Sequence, residues 1–206
     1  MEKESLGELL ANAISHGLGV LFSIGALVVL VTAAETSTAL GGAIVFGVTL
    51  IVLYLASTLY HSFPKSMNRV VSVFRRFDHS AIYFLISGTY TAFVLTLLPN
   101  SKGFALLIAL WSITLVGTVF KLIWIERFKA VHIILYLAMG WSVAFLWPDI
   151  QPIIPESSLT LLFVGGISYT AGMIFFGLKR RYTHFIWHLF VIGGSLAHIV
   201  SIYYII

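Results

Sequence analysis

The sequence contains no cysteine. Disulfides, thiolate nucleophiles and thiolate metal ligands are excluded, and a metal site has to be built from nitrogen and oxygen donors. Charge is nearly as scarce. Only 10% of the 206 residues are Asp, Glu, Lys or Arg, while 59% are hydrophobic and the mean hydropathy is +1.00; soluble domains carry about 25% charge. A soluble globule of this length cannot hide so much apolar surface, because a large share of any folded surface stays in contact with solvent. A soluble domain, a disordered chain and a coiled coil are therefore excluded. Proline is scarce too: Pro64, Pro99, Pro148, Pro152 and Pro155 are the full set. No internal repeat or low-complexity tract interrupts the chain.

What is present is a series of long apolar runs. Residues 17–34, 36–60 and 80–101 carry neither charge nor His. Gly103 to Phe120 is uncharged, and Ile123 to Ile125 extend that run past Lys121. Ala130 to Pro148 is uncharged apart from His132, and Ser157 to Leu178 is uncharged throughout. Tyr182 to Ile206 is interrupted only by His184, His188 and His198. Each run has about the 20 residues a bilayer-spanning helix needs. The prolines all fall between runs or at their C-terminal ends, as helix breakers should. Strands of a β-barrel would alternate apolar with polar positions, and these runs do not. The expected fold is all-α: one seven-transmembrane-helix domain over residues 1–206, with too little chain outside the spans for a separate soluble domain.

Lys and Arg are distributed unequally between the two sides. Lys3, Lys65, Arg69, Arg75, Arg76, Lys121, Arg127, Lys129, Lys179, Arg180 and Arg181 fall on one side, and Lys102 alone on the other. Basic residues mark the cytoplasmic side. The expectation is a multi-pass protein of the inner (plasma) membrane with its N-terminus cytoplasmic and its C-terminus extracytoplasmic. The pI of 9.4 follows from this topology and from contact with anionic lipid, so nucleic acid is not an expected partner. Residues 64–77 mix Lys65, Arg69, Arg75 and Arg76 with Met67, Val70, Val71, Val73 and Phe74, which suggests an interfacial amphipathic segment. Residues 1–13 are expected to form a short cytoplasmic helix, opened by Ser5 and Glu8 as a capping box and running into the first span. Glu2, Glu4 and Glu8 are the opposite of the basic start of a secretory signal.

With topology assigned, the seven histidines acquire depths. His16, His61, His79, His132, His184 and His188 sit at the basic ends of their spans, and only His198 lies toward the other half. His184 and His188 are four residues apart, so they share one helix face; such a pair is a common way to present two ligands to one zinc ion. Ser57 and His61 have the same spacing. His61 and Asp78, at the end of the second span and the start of the third, are the candidates to complete a site. Glu8, Asn12 and His16 also share a helix face, either as a polar brace toward this layer or as a cap with an interfacial pair. His198 reads as a helix-packing hydrogen bonder.

Taken together, Ser57-x-x-x-His61, Asp78, His184-x-x-x-His188 and the opening Glu8-x-x-x-Asn12-x-x-x-His16-Gly17 resemble the signature of the hemolysin III family. That family is the bacterial relative of the progestin and adipoQ receptors, within a superfamily that includes alkaline ceramidases. The resemblance runs over the whole chain. It implies a zinc ion held by His61, His184 and His188, with Asp78 binding the metal or its water and Ser57 polarising substrate. It also implies hydrolysis of an amide-linked lipid, with membrane lipid as substrate or ligand. Zinc chemistry makes this reasonable, since a bound water becomes acidic near pH 7 and a neighbouring carboxylate can take its proton. Two other readings remain at this point. One is a receptor-like or regulatory protein in which zinc is structural, and the other is the cytolytic or pore-forming protein of the family name.

Overall fold

The computed structural model describes residues 5–64, 66–125, 127–178 and 180–206. Among them all regular structure is helical: α1 (Leu6–Ala33), α2 (Ser37–Ser62), α3 (Asn68–Leu97), α4 (Ser101–Ile123), α5 (Lys129–Gly140), a 3₁₀ turn (Ser142–Leu146), α6 (Trp147–Ile150), α7 (Glu156–Gly177) and α8 (Thr183–Tyr203). Seven segments are long and apolar enough to span a membrane, the fifth running from Lys129 to Ile150. The chain is a seven-helix membrane protein.

Local chemistry sets the helix starts. Ser5 and Glu8 form the expected capping box: Glu8 N–H donates to Ser5 Oγ at 3.3 Å and Ser5 N–H to Glu8 Oε2 at 2.9 Å. Thr36 caps α2 through Ala39 N–H, and Asn100 caps α4 through Lys102 and Gly103 N–H. These bonds satisfy backbone donors that the first helical turn leaves open. Leu6 to Ala13 are the first turns of α1 and run on into the span, as the capping box predicts, while Met1 to Glu4 lie outside the described residues. One boundary differs from the sequence expectation. Asn68 to Phe77 open α3 and are not a separate surface helix; Lys65 lies outside the described residues. Neither Pro nor Gly occurs between Asn68 and Ser87, so nothing stops the helix there.

The fifth span is the other departure. Its apolar run is uninterrupted in sequence, yet the helix breaks at Gly140 and resumes as a 3₁₀ turn. Backbone groups freed in a membrane need partners, and Tyr90 supplies them. Its hydroxyl donates to Gly140 C=O at 2.8 Å and accepts from Val143 N–H at 2.7 Å. Gly140 lowers helix propensity at the break, and Pro148 restarts the chain in the first turn of α6.

Packing follows the logic of a protein dissolved in lipid. Large apolar side chains face outward, such as Leu18, Leu21, Ile108, Ile174 and Phe145, while Ser23, Ser87, Thr114, Ser158, Ser195 and Ser201 are fully buried. The small hydroxyls join neighbouring helices: Ser87 to Thr114 at 2.7 Å, Ser158 to Ser201 at 2.9 Å. Helix α1 packs between α2 and α8, α3 between α2 and α4, and α7 against α8. The first and last spans are thus neighbours. A Cβ at Gly19 would strike the ring of Tyr54, so the missing side chain lets α1 and α2 approach at the level where the site is built.

Candidate metal centre

Closure of α8 onto α1 brings three histidines to one point. His61 comes from the last turn of α2, and His184 and His188 from the first two turns of α8. One ligand nitrogen from each lies within 4.8 Å of the others, so the three can hold a metal ion. The Nε2 atoms of His61 and His184 are 3.2 Å apart. His61 and His188 are buried, and His184 is half-buried.

The ring of His188 is held from behind. Its Nδ1 lies 3.1 Å from Ser15 Oγ, and the Ser15 hydroxyl donates to Asn12 C=O at 3.0 Å. With the serine proton committed, Nδ1–H is the donor to Ser15. That selects the tautomer whose Nε2 lone pair points toward the other histidines, the usual way an outer partner orients a ligand imidazole. His16 stacks on His188 with ring centroids 3.5 Å apart and planes 13° from parallel, and Tyr54 meets His16 edge-on at 4.9 Å. Both ring nitrogens of His16 are buried without a partner at hydrogen-bonding geometry. The backbone of His188 lies beside the ring without reaching that geometry.

Glu8 acts at a distance from the metal layer. One carboxylate oxygen completes the α1 capping box, and the other accepts from Tyr182 N–H at 2.9 Å. Tyr182 is the left-handed residue (φ 59°) immediately before α8. One carboxylate therefore caps two helix starts, in line with the favourable placing of anions there. It also ties the start of α1 to a point two residues before His184.

Asp78, in α3, has Ser57 and Arg75 as its polar neighbours. Ser57 Oγ is buried and faces the carboxylate without a partner at strict hydrogen-bonding geometry. The Asp78 carboxylate does not join the mutual set of ligand atoms formed by the three histidines. Three other histidines stand apart from that set: His132 pairs with the Tyr83 hydroxyl at 2.7 Å, His79 packs against Phe176, and His198 bonds to Leu162 C=O.

The family model described as Haemolysin-III related matches residues 7–199. The chain belongs to that family. It is 42% identical over 197 residues to a "Hemolysin-3 homolog" of Bacillus subtilis, covering 94% of this chain and 92% of the relative. It is 41% identical over 192 residues to "Hemolysin-3" of Bacillus cereus, covering 91% and 87%. A more distant likeness, 29% identity over 164 residues and covering 77% and 68%, is to the human "Monocyte to macrophage differentiation factor". In this haemolysin-III-related chain, sequence reasoning singled out the histidines but missed Ser15, Tyr54 and Tyr182. Ser15 was signalled by its place beside His16 and three residues after Asn12. The other two carry no local signal, because they act through contacts between distant spans.

One helical turn beyond the histidines toward the bundle centre, the interior opens into a cavity of about 130 Å³. Leu53, Trp187 and Val191 line its near end, and Tyr136, Trp141 and Tyr169 line it further on. Leu137, Trp141, Thr170 and Met173 also line a recess on the outer face of α5 and α7. The cavity therefore approaches the lipid-facing surface between those two helices. A cavity needs about 10–15 Å³ by this measure to hold one water, so this one has room for a length of alkyl chain.

Proposed function

We propose that the three histidines hold a zinc ion and that the protein hydrolyses an amide-linked lipid, working at the membrane face where its basic residues lie. The observation that carries the reading is the His61, His184 and His188 cluster, with Asp78 on α3 beside Ser57 and an apolar cavity whose lining includes Trp187, the neighbour of His188 in sequence. The nitrogen spacing fits the metal. The 3.2 Å between His61 and His184 Nε2 is close to the edge of a tetrahedron with zinc–nitrogen bonds of 2.0–2.1 Å, about 3.3 Å. Two facing imidazole nitrogens are otherwise a poor pair unless one carries the only proton between them.

Zinc held there would acidify a water to a pKa of about 7 and polarise a carbonyl. The chain's own groups do the rest. Asp78 accepts the proton of the attacking water and returns it to the amine nitrogen as the carbon–nitrogen bond breaks. Ser57 O–H, beside Asp78, donates to the oxyanion that develops on the carbonyl. Ser15 and His16 hold the His188 ring in the orientation that presents its Nε2. The lipid's chain lies in the cavity, reached sideways between α5 and α7.

A second reading is favoured by the depth at which His188 is locked, 1% exposed, stacked and hydrogen-bonded. In it zinc clamps α2 to α8 in a receptor-like or regulatory protein, with Asp78 filling the fourth position. Elemental analysis of the purified protein, followed by turnover of a ceramide, separates the two. One zinc per chain, lost in a His184→Ala, His188→Ala double variant, together with amide cleavage abolished by Asp78→Asn, supports the hydrolase. Zinc without cleavage, and unfolding on chelation, supports the clamp. Metal content unchanged in the double variant overturns both. The lytic reading carried by the relatives' name is tested by dye release from liposomes containing the protein; leakage that rises with protein content would replace the hydrolase reading.

A further inference from the structure

His198 is not used by the mechanism above, and it is an unusual residue to bury in a membrane. It is 7% exposed, in the half of α8 away from the metal ligands, and it lines the cavity. Ionisable groups in such positions are expensive and tend to be functional. Its Nε2 lies 3.2 Å from Leu162 C=O. A carbonyl can only accept, so Nε2 carries the proton and Nδ1 of the neutral ring is a lone-pair acceptor. That Nδ1 is buried with no partner. Gly165 makes room for the ring: a Cβ there would collide with it.

Tyr169 sits against the same ring, centroids 5.3 Å apart, and also lines the cavity. Its hydroxyl is 2.9 Å from Ser195 Oγ, which already accepts from the Tyr54 hydroxyl at 2.9 Å. Ser195 carries one proton; given to the Tyr169 oxygen, it leaves the Tyr169 O–H to donate elsewhere. The other hydroxyls of the wall are occupied. Thr89 bonds Leu85 C=O, Thr170 bonds Gly166 C=O, Tyr136 bonds His79 C=O, and Tyr90 holds Gly140 and Val143. In that direction the Tyr169 O–H is a donor and His198 Nδ1 an acceptor, on two residues that pack ring against ring in the cavity wall. An alcohol has the complementary pattern, since its oxygen accepts from Tyr169 while its O–H donates to His198.

We propose that His198 and Tyr169 form a hydroxyl-selective subsite, which receives an alcohol carried partway along the chain of a lipid amphiphile. This rests on the reading above that the cavity takes the lipid's chain, though not on hydrolysis. The subsite lies ten residues beyond His188 along α8, about 15 Å at 1.5 Å per residue. The selected alcohol is therefore near mid-chain and not next to the head group.

Trp141 and Trp187 line the cavity, so a brominated stearate bound there quenches their fluorescence, and unlabelled acids compete for it. The purified full-length protein in detergent is titrated with stearate, with stearate hydroxylated at carbon twelve, and with stearate hydroxylated at carbon two. The mid-chain alcohol is expected to displace the quencher on the order of tenfold better than stearate, from two hydrogen bonds to groups otherwise left unsatisfied. The alcohol beside the head group is expected to give no such gain. Tyr169→Phe and His198→Phe each remove the mid-chain gain while stearate still binds. Comparing the ratio of the two acids between wild type and variant cancels their different partition into micelles. Equal displacement by all three acids, or a gain that survives both substitutions, overturns the subsite and leaves chain binding standing. Absence of quenching by the brominated acid overturns the subsite and the chain-binding reading together.

Discussion

Replacing Ser15 by Ala removes one oxygen atom and almost nothing else. The methyl group fits the same space, so no cavity forms, and Asn12 C=O keeps its place in α1. The loss falls on His188 Nδ1, which is 3.1 Å from Ser15 Oγ and belongs to a ring only 1% exposed. No water can take the serine's place at so buried an atom without opening the interface between α1 and α8, and the Asn12 C=O, released by the serine and already facing this ring, is the acceptor that remains and keeps the cost toward the lower end. An unsatisfied buried donor costs about 1–3 kcal/mol. Part of that cost is avoided by the other tautomer, which puts the proton on Nε2 and so removes the lone pair that would bind metal. Either way the metal-competent state becomes less stable, and the expected loss of zinc affinity is about 10- to 100-fold, the range found when outer partners of ligand imidazoles are removed. The assay is competition with a chromogenic chelator at fixed pH, with His188→Ala as the reference for complete loss. Zinc affinity in Ser15→Ala within about twofold of wild type, with His188→Ala metal-free, would refute the assignment of Ser15 as the orienting partner.

Three further outcomes follow from the geometry. Glu8→Gln replaces one of two capping oxygens by an N–H₂ group facing a donor, at Ser5 or at Tyr182; the loss is about 0.5–1 kcal/mol because the carboxylate is solvated, and faster amide exchange at Tyr182 and His184 reports it. Tyr90→Phe strands Gly140 C=O and Val143 N–H inside the membrane, and a loss of about 1–3 kcal/mol is expected in reversible unfolding from mixed micelles; an unchanged midpoint would show that the break in the fifth span is held by something else. Lys102→Ala removes an ion pair to Asp149 whose lysine is 67% exposed, and the same unfolding assay is expected to move by less than about 1 kcal/mol.

Much of the fold was legible because a bilayer imposes one-dimensional rules. An uncharged run between His79 and Lys102, or between Glu35 and His61, has to become a helix of about the right length, and Pro64, Pro99 and Pro155 mark where chain leaves the membrane. The His184 and His188 pair was legible for the same reason, since four residues along a helix is one turn. The break after Gly140 was hidden because apolar composition does not distinguish a straight helix from one whose backbone is held open by a tyrosine fifty residues earlier. The stack of His16 on His188 and the reach of Glu8 to Tyr182 were hidden more deeply. They depend on α1 and α8 being neighbours, and hydropathy does not encode which helices touch. Helical spacing put Glu8, Asn12 and His16 on one face, but only the packing shows that Ser15, one position aside, makes the hydrogen bond to His188.

Contact between the first and last spans also orders events in time. His61 enters the membrane early in synthesis, whereas its two partners arrive with the last of the seven helices. Until α8 inserts and swings against α1, one imidazole is present and no chelate can form. The loop to be closed is nearly the whole chain, the costly, late kind of contact. Metal capture would therefore mark a finished bundle: an ion bound at this centre reports that every span is in place, and a chain stalled before the last one has nothing with which to hold it.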